Sequence, residues 1–322
     1  MSSIARIVFL DRATLPDFIT LKAFEFGHEV VAYDQTAPAE VADRIRDATI
    51  VITNKVPVSA RDVAQAGALK LVAVAATGTN IIDIKACREK GIVVSNIRNY
   101  AVNTVPEHTL ALIFALRRSL VPYHLSVGQG RWAQSGQFCY FDYPVSDLAN
   151  STIGIFGSGT LGTAVAKRAQ ALGMNVLFAA RKGETAVRQT HTPFDEVIEQ
   201  ADILTLHLPL TPATHHMIGA AELARMKPTA ILINTARGGL VDEAALADAL
   251  ENKKIGGAGF DVVTQEPMPD THPFMRLMNR SDFILTPHVA WASRQAIQAL
   301  SDQLVDNINA FMRNDIRNQV GS

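Results

Sequence analysis

A glycine-rich turn between a strand pattern and a helix pattern constrains the fold of this 322-residue chain more than any other feature. The segment reads STIGIFGSGTLGTAVAKRAQALG, in which an apolar run leads into the turn and an amphipathic stretch follows it. Gly157 permits a tight turn, Gly159 lets the backbone approach a pyrophosphate, and Gly162 lets helix and strand pack closely. The helix N-terminus then offers free N–H groups to phosphate. The segment predicts a dinucleotide-binding unit with contacts from Gly157, Ser158, Gly159, Thr160, Leu161 and Gly162.

Short β-branched runs alternate with helix patterns along the whole chain. The first half contains IARIVFL, EVVAY, ATIVIT, KLVAVAAT and GIVVSNI, and the second contains STIGIFG, NVLFAA, ADILTLHL, AILINTA, GGAGFDVV and DFILTPHV. Near-continuous apolar runs are typical of parallel strands that helices cover on both faces. A chain of 322 residues exceeds what one hydrophobic core usually organises. The sequence therefore predicts an α/β protein with two doubly wound parallel-sheet domains.

Composition and charge narrow the partners that this chain can have. Apolar residues make up 48% and charged residues 19%, which is typical of a compact protein. A net charge of −1 provides no electrostatic attraction for nucleic acid or an anionic membrane. Two cysteines, no Cys/His cluster with metal-ligand spacing and no signal-peptide pattern favour a cytoplasmic protein without a metal.

Two segments do not fit the simple alternation. Residues 99–120 predict one long helix, capped by Asn103 and apolar almost all round, and residues 122–148 predict an irregular arm rich in glycine and aromatic residues. An arm of this length is usually functional or interfacial, so a homodimer is expected. A final helix is predicted over about 293–314, and it could return to the first domain.

The stretch FAARKG, residues 178–183, ends the strand that follows the glycine turn. An acid at this strand tip normally binds the adenosine ribose hydroxyls of NAD and would repel the 2′-phosphate of NADP. Here the candidate positions are Ala180, Arg181 and Lys182. A guanidinium is well shaped to bind phosphate. The stretch predicts a preference for NADP(H), with use of NAD(H) still possible.

Four side chains that are suited to chemistry follow three neighbouring strand patterns. Arg237 follows AILINTA, Asp261 and Glu266 follow GGAGF, and His288 follows DFILTP. Open α/β sheets bind ligands at the carboxyl ends of their strands. We therefore expect these side chains to gather at the edge that carries the glycine turn.

These motifs together resemble the D-isomer-specific 2-hydroxyacid dehydrogenase family over essentially the whole chain. The resemblance is carried by GSGTLG, HLPLTPATHHMIG, NTARGGLVDEAAL, DVVTQEP and TPHVAWAS, and FCYFDYP is most similar to its glycerate dehydrogenase, or hydroxypyruvate reductase, branch. It implies a Rossmann dinucleotide-binding domain over 101–292, with a dimerisation helix and arm over 101–148. It also implies a flavodoxin-like substrate domain formed by 1–100 with 293–322, and an active site in the cleft between the domains.

The resemblance implies that Arg237, Glu266 and His288 form the catalytic set. The chemistry of a 2-keto acid fits those roles, because Arg237 can bind the carboxylate and polarise the ketone. His288 can donate the proton, and Glu266 can orient it. By the same resemblance Asp261 anchors the nicotinamide amide.

The remaining implied contacts divide between cofactor and substrate. Beyond those already named, the cofactor contacts are Thr104, His207, Leu208, Pro209, Thr214, Thr235, Ala236 and Ala290. The substrate contacts, beyond Arg237 and His288, are Asn54, Lys55, Ala76, Thr77, Gly78 and Trp291. His215 and His216 are expected to be surface histidines, or otherwise secondary cofactor contacts.

The expected activity is reduction of hydroxypyruvate and glyoxylate to D-glycerate and glycolate by hydride transfer from a nicotinamide cofactor. Phosphoglycerate dehydrogenase and D-lactate dehydrogenase are alternatives within the same family. A dinucleotide-sensing, corepressor-like binding protein is the alternative from another class, because one fold can host unrelated functions.

Overall fold

The computed structural model describes residues 4–184 and 187–321. The chain divides into two compact units. Unit 1 comprises the residues up to Ala101 together with those from Ala292 onwards, and unit 2 comprises Val102–Trp291. The roles that the sequence assigns to the two domains stay predictions at this stage.

Unit 1 contains a five-stranded parallel sheet. Its strands are β1 (Ala5–Phe9), β2 (His28–Ala32), β3 (Ile50–Thr53), β4 (Leu71–Val74) and β5 (Val93–Ser95). Their spatial order is β2-β1-β3-β4-β5, which is the flavodoxin-like order. The helices that follow strands are α1 (Val41–Ile45), α2 (Ala60–Gln65) and α3 (Ile84–Glu89), and the C-terminal helix, Arg294–Met312, belongs to this unit.

Unit 2 contains a six-stranded parallel sheet. Its strands are β6 (Thr152–Phe156), β7 (Asn175–Phe178), β8 (Ile203–Leu206), β9 (Ile231–Asn234), β10 (Gly257–Phe260) and β11 (Phe283–Leu285). Its helices are α4 (Thr104–Arg117), α5 (Leu120–Gly128), α6 (Arg131–Ser135), α7 (Thr160–Ala171), α8 (Phe194–Gln200), α9 (Ala220–Arg225) and α10 (Glu243–Glu251). Short 3₁₀ turns occur at Arg12–Thr14 and Pro38–Glu40 in unit 1 and at Pro273–Leu277 in unit 2.

The strand order in unit 2 is β11-β10-β9-β8-β6-β7, so the chain reverses its direction of travel at β6. A parallel bridge between Ala179 and Thr192 adds the start of a further strand beyond β7. With that bridge the order matches the dinucleotide-binding fold, whose ligands bind where the order reverses. The predicted fold class, two doubly wound parallel sheets, is confirmed.

The central strands of both sheets are apolar and buried, as expected of parallel strands that helices cover on both faces. Strands β3, β4, β8, β9 and β10 are buried at every residue. In unit 2 the ring of Phe274 packs edge-on against Phe260 and Phe283, with centroids 5.2 and 5.0 Å apart. In unit 1 burial raises the pKa of the Cys87 thiol to about 11, so this cysteine is packed and inert.

The segment between α4 and β6 corrects two expectations from the sequence. The helix predicted within 99–120 is present but shorter, since α4 covers Thr104–Arg117. The chain turns at Ser119, which has φ +48° and donates its hydroxyl hydrogen to Pro144 O at 2.5 Å. Part of the arm predicted as irregular over 122–148 is helical, since α5 and α6 lie there. Asn103 is the N-cap residue of α4, as predicted, but its side chain makes no capping hydrogen bond, and its Oδ1 accepts from Arg168 at 2.8 Å.

Among the described residues, no single helix has the length and apolar content needed to span a bilayer. The bent pair α4 and α5, which meet at 57°, meets both criteria only when its helices are taken together.

Candidate active site

Every strand of the unit 2 sheet delivers a predicted site residue to the same edge. Because all six strands are parallel, the residues that follow their last positions emerge together. In strand order β6 to β11, those residues are Gly157, Ala180, His207, Thr235, Asp261 and His288.

The glycine turn leaves open backbone where a pyrophosphate would need it. A Cβ on Gly157 would lie 2.3 Å from His207 O, and a Cβ on Gly162 would lie 1.9 Å from Gly157 O, so both positions require glycine. A Cβ on Gly159 would have no neighbour within 4 Å among the described atoms. Close packing on one side and free space at the N-terminus of α7 fit a dinucleotide phosphate.

The basic pair at the tip of β7 divides into two different environments. Ala180 is buried and its N–H donates to Thr192 O at 2.8 Å, whereas Arg181 is exposed. Lys182 Nζ instead lies 2.8 Å from Glu222 Oε1 and donates to Met217 O at 3.0 Å. Lys182 therefore has a structural partner already, and Arg181 is the better candidate for a phosphate contact.

The Lys182–Glu222 pair also fixes the protonation of its carboxylate. Burial by itself would raise the pKa of Glu222, but hydrogen bonds from Lys182 and from Gly219 N lower it on balance. The charged Glu222 carboxylate, in the first turn of α9, therefore holds the Lys182 ammonium group by an ion pair.

His191 was not expected at this site. Its Nε2 lies 3.1 Å from Ser158 Oγ in the glycine turn. The ring centroids of His191 and Phe178 are 6.0 Å apart. No local pattern predicts this contact, because His191 lies 33 residues from Ser158 in an irregular segment.

His207 stays neutral at any ordinary pH. Burial of its ring lowers the pKa of His207 to about 4, and its Nε2 lies 3.0 Å from Thr205 Oγ1. Its Nδ1 is buried and has no hydrogen-bond partner among the described residues. Its backbone carbonyl oxygen packs against Gly157 and leaves no room for a Cβ there, so His207 supports the glycine turn.

His288 and Glu266 form a direct pair, as the sequence predicts. His288 Nδ1 lies 2.6 Å from Glu266 Oε2, and the two side chains are 28% and 35% exposed. Partial exposure leaves the imidazole accessible to a ligand while the carboxylate fixes its tautomer. His288 also has φ +54°, in the left-handed region that residues other than glycine seldom adopt.

Asp261 organises the turn that carries His288. The carboxylate accepts from Thr286 Oγ1 at 2.5 Å, from Val289 N at 2.9 Å and from Ala290 N at 2.8 Å. Its carbonyl oxygen accepts from His288 N at 2.8 Å. His108 extends this network, since its Nε2 lies 3.0 Å from Thr286 Oγ1. The Asp261 carboxylate thus already accepts three hydrogen bonds from the protein. Its role as the anchor of the nicotinamide amide stays a prediction.

Arg237 lies in a turn that a buried asparagine shapes. Asn234 Nδ2 donates to Arg237 O at 2.8 Å, and its Oδ1 accepts from Ala236 N at 3.0 Å. Thr235 is buried, and its hydroxyl forms a hydrogen bond with the hydroxyl of Thr109, with 3.0 Å between the two Oγ1 atoms. The guanidinium is exposed and donates to Ala236 O at 2.6 Å. The turn is thus rigid, and the charged group reaches out from it.

Three further predicted contacts serve the His288 turn from within. Thr104 and Ala290 are both buried, and Thr104 Oγ1 donates to Ala290 O at 3.0 Å. Trp291 Nε1 donates to His288 O at 2.9 Å. Contact of these residues with cofactor or substrate stays a prediction.

The loop after β8 is closed by Thr214, whose Oγ1 donates to Pro209 O at 2.8 Å. Leu208 is half-buried behind Gly157, with Cδ2 3.2 Å from the position of a Cβ there. The rings of His215 and His216 stack on each other with centroids 3.9 Å apart.

Five of the predicted substrate residues, in two loops, lie in unit 1, where Asp11 holds the Asn54–Lys55 loop. The buried Asp11 carboxylate accepts from three successive backbone N–H groups, at 3.0 Å from Asn54, 2.6 Å from Lys55 and 3.2 Å from Val56. This device was not visible in the sequence, because a single aspartate after a strand carries no pattern.

The second predicted substrate loop, Ala76 to Gly78, is braced in the same unit. Asn96 Nδ2 donates to Thr77 O, and Thr77 Oγ1 donates to Ile97 O, each at 2.8 Å. Ile97 N donates to Ala76 O at 3.0 Å. Both loops are therefore held in fixed conformations by their own unit.

Within residues 4–184 and 187–321, no group of three or more His, Cys, Asp or Glu side chains is arranged to hold a metal ion.

Fold, glycine turn and strand-end residues together define a two-unit dinucleotide-binding α/β protein with an acid–base pair on the same sheet edge. The family model of the D-isomer specific 2-hydroxyacid dehydrogenase NAD-binding domain matches residues 110–290, which lie in unit 2. The chain belongs to the D-isomer-specific 2-hydroxyacid dehydrogenase family, and the resemblance seen in the sequence is confirmed.

Individual relatives agree with this assignment. A glycerate dehydrogenase of Methylorubrum extorquens is 52% identical over 98% of this chain and 98% of its own length. A D-3-phosphoglycerate dehydrogenase of Methanocaldococcus jannaschii is 33% identical over 93% of this chain but 56% of its own. The structure of an NADPH-dependent glyoxylate/hydroxypyruvate reductase of Sinorhizobium meliloti is 28% identical, with a TM-score of 0.82 over 98% of each chain.

The glycine turn yields a paired prediction. Gly162→Ala should lower the free energy of unfolding by about 1–3 kcal/mol, because its methyl group would collide with a carbonyl. Gly159→Ala should leave stability unchanged and raise the Kd for dinucleotide about tenfold, by filling the space that the phosphate needs. Thermal unfolding and fluorescence titration measure the two effects. Unchanged affinity in Gly159→Ala would place the phosphate elsewhere.

Proposed function

We propose that this protein is an oxidoreductase that reduces hydroxypyruvate and glyoxylate to D-glycerate and glycolate with a reduced nicotinamide cofactor. The observation that carries the proposal is the His288–Glu266 pair, 2.6 Å apart, on the sheet edge that also carries the glycine turn and Arg237. The 52% identity to a glycerate dehydrogenase supports the choice of substrate class.

Arg237 is the substrate's carboxylate partner in this proposal. Its exposed guanidinium stands on a turn that Asn234 holds rigid, which suits a bidentate contact with a carboxylate. The same charge polarises the neighbouring ketone and stabilises the oxygen as it becomes an alkoxide.

His288 supplies the proton that the developing alkoxide takes up. Glu266 accepts from Nδ1, so Nε2 is the nitrogen left for the substrate. In the imidazolium form Nε2 carries the proton that is given, and the ring is then the neutral imidazole with Nδ1–H on Glu266. When bound, the nicotinamide supplies the hydride for the ketone carbon, and the product is the 2-hydroxy acid. Asp261 and Trp291 hold the His288 turn in register while this occurs.

In the same proposal unit 2 binds the cofactor and unit 1 provides further substrate contacts. The Asn54–Lys55 and Ala76–Gly78 loops are suited to that task because Asp11 and Asn96 hold them rigid. The phosphoglycerate alternative has less support, since the relative of that name shares 33% identity against 52% for the glycerate dehydrogenase. A cytoplasmic location stays a prediction.

Initial rates of cofactor oxidation with hydroxypyruvate, glyoxylate, pyruvate and 3-phosphohydroxypyruvate test the proposed function. We expect the first two to be the best substrates, and His288→Ala to lower kcat by about 10²–10⁴-fold through loss of the proton donor. His28→Ala, which removes an exposed histidine from β2 in unit 1, is the control and should match the wild type. Preference for pyruvate or the phosphorylated acid would reassign the substrate. Tight dinucleotide binding without turnover would favour the alternative function, a dinucleotide-sensing binding protein.

We propose further that the adenosine end of the site prefers NADP(H). No acid stands at Ala180, Arg181 is exposed beside it, and His191 contacts Ser158 in the turn. The NADPH-dependent relative of known structure is consistent with such a preference in this family.

Arg181→Ala should reduce the ratio of kcat/KM for NADPH to that for NADH by about tenfold, since one charged hydrogen bond contributes roughly 1.5–3 kcal/mol. Lys182→Ala is the matched control, because that lysine is paired with Glu222 and should not alter the ratio. Equal effects of both substitutions, or no effect of Arg181→Ala, would contradict the proposed phosphate site.

A homodimer through the arm is the remaining proposal. Phe138 and Phe141 are 88% and 87% exposed, and Leu120, Leu125 and Trp132 are each at least half exposed. Apolar area of this extent is unusual on a monomer and typical of an interface.

Light scattering should give the mass of two chains at micromolar concentration. Phe138→Ser combined with Phe141→Ser should shift the equilibrium towards monomer, because the exposed rings are lost. Phe18→Ser, which removes a 47% exposed ring from unit 1, is the control and should leave the mass unchanged. A wild-type monomer would refute the dimer.

A further inference from the structure

A buried hydrogen-bonded pair of His272 and Glu243, outside the proposed catalytic set, contacts the loop that carries Glu266. His272 Nε2 is 2.8 Å from Glu243 Oε2, and the two side chains are 6% and 9% exposed. Glu243 lies in the first turn of α10, and His272 precedes the 3₁₀ turn at Pro273. Because both side chains are buried, they are not placed to contact a ligand or exchange a proton with it. We therefore look for their role in the backbone groups that they bind.

The hydrogen bonds of this pair have one consistent arrangement. Phe274 N donates to His272 Nδ1 at 3.1 Å, so that nitrogen carries no proton. The ring proton is therefore on Nε2 and is donated to Glu243. The other carboxylate oxygen, Oε1, accepts from Thr264 N at 2.8 Å. Glu243 thus links a rigid part of the core to the backbone of the loop.

The peptide between Val263 and Thr264 is the junction of the site. Val263 N belongs to the adjoining peptide group, one Cα away, and it donates to Glu266 Oε1 at 3.2 Å. The other oxygen of Glu266 pairs with His288. The Val263–Thr264 peptide itself packs against Gly238, where a Cβ would lie 2.1 Å from Val263 O and 2.3 Å from Thr264 N. Gly238 follows Arg237 directly. A shift of this one peptide would therefore move both the carboxylate and the arginine turn.

We propose that Glu243, oriented by His272, is a positioning residue for the reaction. It fixes the Val263–Thr264 peptide, and through that peptide it sets Glu266 against His288 and both against Arg237. This role rests on the proposed function, which assigns the catalytic work to those three side chains. Outer partners that orient catalytic groups typically matter about 10- to 100-fold for activity, and small misplacements have effects of similar size.

Glu243→Gln is the primary test. Glutamine keeps the shape and can still accept from Thr264 N, but its NH₂ group then faces the protonated Nε2 of His272. Turning the tautomer would set Nδ1–H against Phe274 N–H instead, so one buried donor is left unpaired either way. We expect kcat with hydroxypyruvate to fall about 10- to 100-fold, while the Kd for the dinucleotide changes less than twofold.

Asp202→Asn is the matched control. Asp202 likewise accepts from one backbone N–H, Thr152 N, and one cation, Lys227, each at 2.8 Å. It precedes β8 and so lies at the opposite edge of the sheet from the site. This variant should keep wild-type kcat.

A double variant, Glu243→Met with His272→Leu, separates positioning from stability. Replacing both members of the pair by apolar groups removes both buried polar side chains, but leaves Thr264 N and Phe274 N without the acceptors that the pair supplies. We expect thermal unfolding no lower than in Glu243→Gln, and a kcat that stays low. Recovery of kcat together with stability, or wild-type kcat in Glu243→Gln, would overturn the proposed role.

A spectroscopic readout keeps this test independent of turnover. The proton on His288 Nδ1, bonded to Glu266 at 2.6 Å, should give a low-field ¹H resonance in the free protein. We expect that resonance to move upfield or broaden in Glu243→Gln and to persist in Asp202→Asn. If the wild type reduces no 2-keto acid, the proposed function fails, and an unchanged resonance in Glu243→Gln would then overturn the positioning role as well.

Discussion

Parallel pairing of the six strands in unit 2 is the constraint on which the rest of the site depends. Since every strand runs in one direction, every strand-to-helix connection that carries a polar group emerges at one edge. The apolar strands fix that edge, and the chemistry is added by the few residues beyond each strand end. Glycine is required where these connections touch, as at Gly157 against His207 and at Gly238 against the Val263–Thr264 peptide.

Carboxylates that accept backbone N–H groups give these connections their shape. Asp261 holds the turn of His288, Glu243 holds the loop of Glu266, and Asp11 holds the loop of Lys55 in unit 1. Each acid takes up donors that an irregular segment would otherwise leave unpaired. Rigid loops of this kind can place a charge on a small substrate without rearrangement during the reaction.

The sequence predicted the parts of this arrangement that have a local pattern. Strand runs, the glycine turn and the residues just beyond each strand were readable, because alternation and spacing lie within about twenty residues. The links between them were not. His272 and Glu243 are 29 residues apart, and His191 and Ser158 are 33 apart, so no local pattern connects them. The turn at Ser119 was missed because apolar residues resume directly after it, at Leu120 and Val121. The sequence does not distinguish Arg181 from Lys182, whereas in the structure Lys182 pairs with Glu222.

The configuration of the product tests the central claim most directly. If Arg237 and His288 fix the carboxylate and the ketone oxygen of one bound 2-keto acid, hydride can reach only one face of the ketone. Purified protein would be incubated with hydroxypyruvate and reduced cofactor, and the glycerate formed would be resolved by chiral chromatography. We expect D-glycerate alone, in an amount equal to the cofactor oxidised. Racemic or L-glycerate, or no oxidation of cofactor, would contradict the account.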